Sequence, residues 1–273
     1  MTWKSVAKKT LAGIGWQTLK LAGRDPKAPR IAVIMYHSVG AQAPMSFDPT
    51  IFEEQLAHLC SIFPDILTVG ELAQLTRPIG KWTACLTFDD GYADNHEVIL
   101  PVLQRHGLHA TFFICSGFIS GEHNISRTYK SYRGLRQMSW SQIRELSSEG
   151  MEIGAHTHSH PLLAALATES QLNEMQRSKQ MIEDQTACPV VSFAIPFGNR
   201  GTYTRSTLDT AATLFQVCCT THFSTNPALP RRHSGMLLLD RIEPSPNDSV
   251  ACFTTKVQGR WDAMKWVQRK RRA

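Results

Sequence analysis

The chain lacks the marks of several protein classes. It has no CxxC pair, and its seven cysteines (Cys60, Cys85, Cys115, Cys188, Cys218, Cys219 and Cys252) are odd in number, with Cys85 and Cys115 inside apolar runs. A disulfide framework is not expected; free thiols in a reducing compartment are. Lys8, Lys9, Gln17 and Lys20 break the opening stretch "MTWKSVAKKTLAGIGWQTLKLAG", so neither a secretory signal nor a spanning helix fits it. The expected location is the cytoplasm, at or near the inner face of the membrane. Zinc-finger, RNP and helix-turn-helix signatures are missing, so no nucleic-acid partner is expected. There is no internal repeat and no low-complexity tract.

What is present suits one large α/β domain. The chain has 273 residues, 42% hydrophobic and 19% charged, enough for a sizeable core. The net charge of +6 gathers at the ends: Lys4, Lys8, Lys9, Lys20 and Arg24 at one, Lys265, Arg269, Lys270, Arg271 and Arg272 at the other. Basic ends on a balanced body point to peripheral contact with an anionic surface such as a membrane. Trp3, Ala7, Leu11, Ile14 and Leu21 recur at roughly helical spacing. That fits an interfacial membrane helix, or equally a helix docked on the domain's own surface.

Apolar, β-branched runs alternate with helical patterns along the rest. "IAVIMYHSV", "WTACLTFDDG", "HATFFICSGF", "MEIGAHTHSHP", "PVVSFAIPFG", "QVCCTTHF" and "MLLLDRIEP" read as strands. "DPTIFEEQLAHLCSIF", with Asp48 and Thr50 as cap candidates, "ADNHEVILPVLQRHG", "SWSQIRELSSEG", with Ser139 and Gln142 at capping-box spacing, and the long "ATESQLNEMQRSKQMIEDQTAC" read as helices. Such alternation predicts parallel β/α construction, with ligands at the C-terminal ends of the strands. His37, Asp89, Asp90, His156, Pro196, Phe197 and Arg241 all fall at such ends. The polar stretch 119–138, with Arg127, Tyr129, Lys130, Tyr132, Arg133 and Arg136, reads as a surface loop whose rings and cations suit a glycan or a diphosphate sugar.

Two patterns carry chemistry. In "ACLTFDDGYADN" an apolar strand ends on adjacent carboxylates, which repel and are costly to bury unless a cation compensates. A simple turn, with one aspartate capping the next helix, would explain DDG alone. In "HTHSH", His156 and His160 have the i, i+4 spacing that can chelate one metal, though Thr157 and Pro161 exclude the zincin helix. Two imidazoles and a carboxylate leave open positions for water and substrate, as a catalytic Zn²⁺ requires. Either aspartate could bind the ion, leaving the other as general base.

"TFDDGY", "EIGAHTHSHPLL" and "FAIPFG" resemble, in order and spacing, the first three motifs of the polysaccharide deacetylase family (the NodB-homology domain, carbohydrate esterase family 4). "IMYHSV" and "TIFEEQLAHL" resemble its exopolysaccharide and surface-glycan branch, and the similarity runs from about Ile31 to about Pro244. The resemblance implies a distorted, TIM-like β/α barrel of about seven parallel strands over 30–250. Residues 1–29 would be a basic amphipathic extension with its linker, and 251–273 a basic tail. It implies Asp89 as general base, Asp90, His156 and His160 as ligands of Zn²⁺ or another divalent metal, and the backbone N–H of Phe197 at the oxyanion. Thr157 would assist metal-site geometry or bind acetate, Pro196 and Tyr92 would line the substrate, and His158 would not be a ligand. The reaction implied is removal of an N-acetyl group from an amino sugar by metal-activated water.

The chain also departs from the pattern. The arginine that opens the third motif elsewhere is missing from "SFAIPFG"; Arg241 in "LLLDRIEP" would replace it, or else form a surface ion pair with Asp240. The family's terminal leucine–histidine motif, source of the general acid, is not evident, and His37 is the first candidate to replace it, ahead of His222 and His233. The reading is a zinc-dependent deacetylase acting on a bacterial surface glycan or its nucleotide- or lipid-linked precursor. O-deacetylation, deformylation, or a catalytically impaired glycan-binding protein are the alternatives.

Overall fold

Seven parallel strands wind into a distorted, curled barrel in the computed structural model, which describes residues 28–124 and 134–262. They are Arg30–Tyr36, Thr83–Asp89, Thr111–Ile114, Glu152–Ala155, Ser192–Ala194, Val217–Cys219 and Met236–Leu239. Their order in the sheet is their order in the chain, and every neighbouring pair is parallel. Past the last strand, Ile242 bridges to Ile34 of the first: Met35 N donates to Ile242 O at 2.9 Å and Ile242 N to Val33 O at 2.7 Å. The short strands Asn226–Pro227 and Arg231–His233 run antiparallel at the margins.

Side chains alternate faces along a strand, and the core divides accordingly. Ile31, Val33, Cys85, Phe113, Ala194, Val217, Cys219, Leu237 and Leu239 fill the interior. Ala32, Ile34, Tyr36, Ala84, Leu86, Phe88, Phe112 and Ile114 pack outward with the helices. Asp89 continues the inward set Cys85, Thr87, and just beyond their strands His37, His156 and Arg241 share that inward parity with Val33, Gly154 and Leu239. Parity thus aims four of the expected site residues at one mouth.

The connecting helices start where their caps are. Asp48 accepts from Thr50 N at 2.8 Å at the head of Pro49–Ile62, and Ser139 and Gln142 close the expected capping box at the head of Trp140–Ser148. The helix expected from Ala93 begins instead as a π-turn, Asn95–Ile99, before Leu100–Arg105. Pro101 is the cause, because it has no N–H to close an α turn onto Glu97. Thr111–Ile114 is shorter than expected, with Ser116–Ile119 turning helical behind it. At the far end the packed unit passes residue 250: the helix Val250–Val257 puts Phe253 and Val257 into the core, and Asp262 pairs with Arg30 at 2.6 Å. The expected tail is therefore part of the domain up to 262. The expected amphipathic N-terminal helix, the basic residues from 265 onward and the loop residues from Arg127 to Arg133 lie outside the described residues. No helix among the described residues is long and apolar enough to cross a membrane.

Candidate active site

Asp89 is the last residue of its strand and is 2% exposed. Arg241 grips it with both arms of the guanidinium, Nη1 to Oδ1 and Nη2 to Oδ2, each at 2.7 Å. Arg241 is itself buried, donates Nε–H to Thr220 O at 3.1 Å, and stacks over Phe113. Burial pushes the Asp89 carboxyl up, but Arg241 and then His156 more than offset this and bring it down to about 2. It is an ionised carboxylate in a locked rotamer. The alternative of a surface pair with Asp240 is excluded. Asp240 has the opposite parity and takes Arg231 at 2.9 Å and Thr220 Oγ1 at 3.0 Å.

Asp90 leaves the strand in the left-handed region, at φ 74°, and Gly91 follows at φ 75°. A Cβ on Gly91 would also meet Ile119 Cδ1 at 3.1 Å, so glycine is needed there for both φ and space. The twist swings the second carboxylate to a separate environment. Its Oδ2 accepts from Tyr92 Oη at 2.9 Å. Its Oδ1 is buried without a hydrogen bond, and His156 Nε2 and His160 Nε2 both stand 3.6 Å from it.

That convergence is the test for a metal. His156 Nδ1 lies 2.7 Å from Ala194 O and must donate to it, since a carbonyl only accepts. Burial lowers both histidines, each to about 4, so they are neutral and His156 Nε2 presents a lone pair. A lone pair and an orphaned carboxylate oxygen facing each other at 3.6 Å call for a cation between them. Ligands of a tetrahedral Zn²⁺ stand roughly 3.3–3.5 Å apart. The residues fit the ion. Cys115 Sγ also lies within 4.8 Å of the Asp90 and His156 donor atoms. Its thiol, however, donates to His156 O at 3.2 Å, and burial holds its pKa well above the ordinary value. His160, with Nε2 3.6 Å from Asp90 Oδ1, is then the candidate for a third ligand.

The loop that delivers the histidines is pinned by its backbone. Glu174, on the helix Thr168–Thr186, accepts from His158 N at 3.0 Å, Ser159 N at 2.9 Å and Ser159 Oγ at 2.8 Å. The His158 ring turns away to Ser116 Oγ at 2.9 Å, consistent with its exclusion from the ligand set. Of six non-glycine residues with positive φ among the described residues, Asp90, Thr157, His160 and Phe197 belong to this site, so strain is concentrated where the ligands are aimed.

Tyr92 and Thr157 are 0% exposed and Pro196 is buried, and each is engaged within the protein. Tyr92 holds Asp90; Thr157 Oγ1 donates to His156 O at 2.5 Å and accepts from His160 N at 3.0 Å, tying the two ligands together. Pro196 makes a tight turn in which Gly198 N donates to its carbonyl at 2.7 Å. In a trans peptide the Phe197 N–H points away from that carbonyl. The Phe197 ring is half-buried and packs edge-on against His160 at 4.7 Å.

His37 is half-buried, and a charge on its ring bears on both Asp89 and His160. His222 is engaged elsewhere, with Tyr203 Oη at 3.2 Å and Asp240 Oδ1 at 3.6 Å, and His233 pairs with Asp209 at 2.7 Å. The supports of His37 were not foreseen: Asn95 Nδ2 donates to His37 O at 2.9 Å, and Ser38 Oγ donates to Asp94 Oδ2 at 2.5 Å. "ADN" read simply as the start of a helix, and nothing local linked it to a strand more than fifty residues earlier.

Paired carboxylates, a histidine pair and a further histidine gather at the mouth of a β/α barrel, a donor set that fits a hydrolase able to hold a metal. The chain belongs to the polysaccharide deacetylase family, whose model matches residues 77–214. It is similar to YxkH of Bacillus subtilis (strain 168), named for the same family, with 28% identity over 86% of this chain and 78% of that protein. With the peptidoglycan-N-acetylglucosamine deacetylase PgdA of Listeria monocytogenes it shares 27% identity over 41% of this chain, which spans only 21% of PgdA. Among solved structures, the Streptococcus pyogenes deacetylase PplD, in complex with acetate, matches with TM-score 0.69 and 25% identity over 84% of this chain and 99% of that one. IcaB from Ammonifex degensii matches in fold, with TM-score 0.70 and 20% identity over 85% and 99%. The class is carbohydrate deacetylase.

Proposed function

We propose that this deacetylase removes an N-acetyl group from an amino sugar of a bacterial surface glycan or of its nucleotide- or lipid-linked precursor, using one divalent ion, Zn²⁺ by preference. The observation that carries the reading is the orphaned Asp90 Oδ1 facing two Nε2 atoms at 3.6 Å, beside a carboxylate held ionised by Arg241. Asp90, His156 and His160 would hold the ion, which would supply Lewis-acid activation of water and of the acetamide carbonyl. Asp89 accepts the proton of the attacking water, and the Arg241 clamp keeps its oxygens aimed during that transfer. The Phe197 N–H donates to the oxygen on which negative charge develops. His37 gives a proton to the departing amine nitrogen, steadied through its carbonyl by Asn95. Seven free cysteines favour a reducing compartment, hence a cytoplasmic site of action.

The test is acetate release from N-acetylated amino-sugar donors, free, nucleotide-linked and lipid-linked, with Zn²⁺ and with chelator. Release that needs the metal and disappears in Asp89→Asn is expected. Acetate from O-acetyl esters only would replace the amide reading with an esterase. No release from any donor by metal-loaded protein would favour a glycan binder.

A further inference from the structure

The end of the barrel opposite the active site carries an apolar groove lined by Ile31, Leu72, Leu75, Ile79, Leu229 and Leu237, together with Arg77 and Arg232 and no carboxylate. Among the described residues only three large hydrophobic side chains are exposed, and two of them, Leu75 at 41% and Leu229 at 67%, line this groove. Leu75 follows the helix Val69–Gln74, and Leu229 follows the strand Asn226–Pro227 that pairs with Arg30 and Ile31. Arg77 and Arg232 are both exposed. The described chain enters and leaves here as well. Arg30, at the start of the first strand, bonds Asp262 at 2.6 Å, and Asp262 also accepts from Thr225 N at 2.8 Å. The basic sequence before residue 28 and the basic sequence after 262 thus join the fold at one place, next to the groove.

Leucines that stay in water on a rim of arginines, with two lysine- and arginine-rich segments attached beside them, are complementary to one kind of partner. We propose that this end of the barrel docks on an anionic lipid bilayer. Leu75 and Leu229 enter the interface, and Arg77 and Arg232 lie against the headgroups. Each apolar anchor and each cation adds a modest increment, and together they make a reversible peripheral attachment. The catalytic mouth lies at the other end of the strands, roughly 20 Å away for a seven-residue strand. It therefore faces the aqueous side, which, among the donors proposed above, favours soluble ones over a lipid-linked one in the same bilayer.

The test is co-sedimentation of the full chain with phosphatidylcholine vesicles, with and without phosphatidylglycerol. Binding only to the anionic vesicles, weakened by salt, is expected. The double variant Leu75→Asp/Leu229→Asp should weaken it by about tenfold or more while its metal content stays unchanged. Arg77→Glu/Arg232→Glu should weaken it too, whereas Leu162→Asp, at the third exposed leucine, should not. Wild-type protein that ignores anionic vesicles overturns the proposal. So does a leucine double variant that binds like wild type, since the termini alone would then account for binding. A concentration-dependent dimer abolished by the double variant, with no vesicle binding, would reassign the groove to a second copy.

Discussion

Asp89 and Asp90 are neighbours in sequence that share His156 and differ in their other partners. Asp89 has its charge matched by a guanidinium on two oxygens; Asp90 has one oxygen on Tyr92 and the other unmatched. Removing Arg241 should expose how much of the site depends on that match. Arg241→Met leaves a buried carboxylate without its cation and should lower stability by about 3–5 kcal/mol in urea titration. Arg241→Lys keeps the charge, loses the fork, and should fall between. A second titration belongs to Asp94, which burial pushes up to about 6 against the donated bonds of Ser38 and Asn95. Its folded form binds the proton more tightly than the unfolded chain, whose aspartates titrate near 3.9. Its favourable contribution is therefore complete below about pH 4 and is lost as pH rises through about 6. Asp94→Asn should flatten the fall in the urea midpoint over that interval; an unchanged slope would show that Asp94 is not the group responsible.

At the scale of elements, the strands bring the site together through parity and close packing. Gly154 lies on Glu152–Ala155, two residues before His156. A Cβ there would meet Phe113 ring atoms and Ser192 Oγ, all at 2.6 Å, with both neighbours inside the sheet. Gly154→Ala should cost about 1–3 kcal/mol by overpacking, whereas Gly80→Ala, with nothing within 4 Å, should leave the melting temperature almost unchanged. Much of this level was readable beforehand. Apolar runs ending in Asp89 and His156 located the mouth, because strand exits are where a parallel barrel places its ligands. The choice for Arg241 between Asp89 and Asp240 was open, since parity beyond a strand's end depends on how the chain bends there. What the motifs do not spell out is the hydrogen bonding inside the site: Tyr92 Oη donates to Asp90, and Thr157, at φ 65°, donates to His156 O and accepts from His160 N. Asn95 and Glu174 were missed because each supports a loop from a distant element.

At the scale of the whole molecule, burial decides what is chemically available. Cys85, Cys115 and Cys218 are buried with pKa values held well above the ordinary thiol, and burial pushes Cys219 up to about 12. Only Cys60 and Cys188 are exposed. Native protein should therefore show two fast thiols toward a disulfide reagent, Cys252 reacting slowly and the other four only on unfolding. Fast reaction at Cys115 would mean that the site opens to solvent far more than its packing implies. The same enclosure favours a cation beside Asp90, since the buried carboxylate oxygen and His156 Nε2 present lone pairs to each other. The most direct measurement is the Zn²⁺ content of purified, metal-loaded and dialysed protein, compared across variants. Wild type, Asp89→Asn and Cys115→Ser should each retain one ion per chain, while Asp90→Ala, His156→Ala and His160→Ala should lose it. A wild type that retains none, or an Asp90→Ala protein that retains it fully, would contradict the assignment.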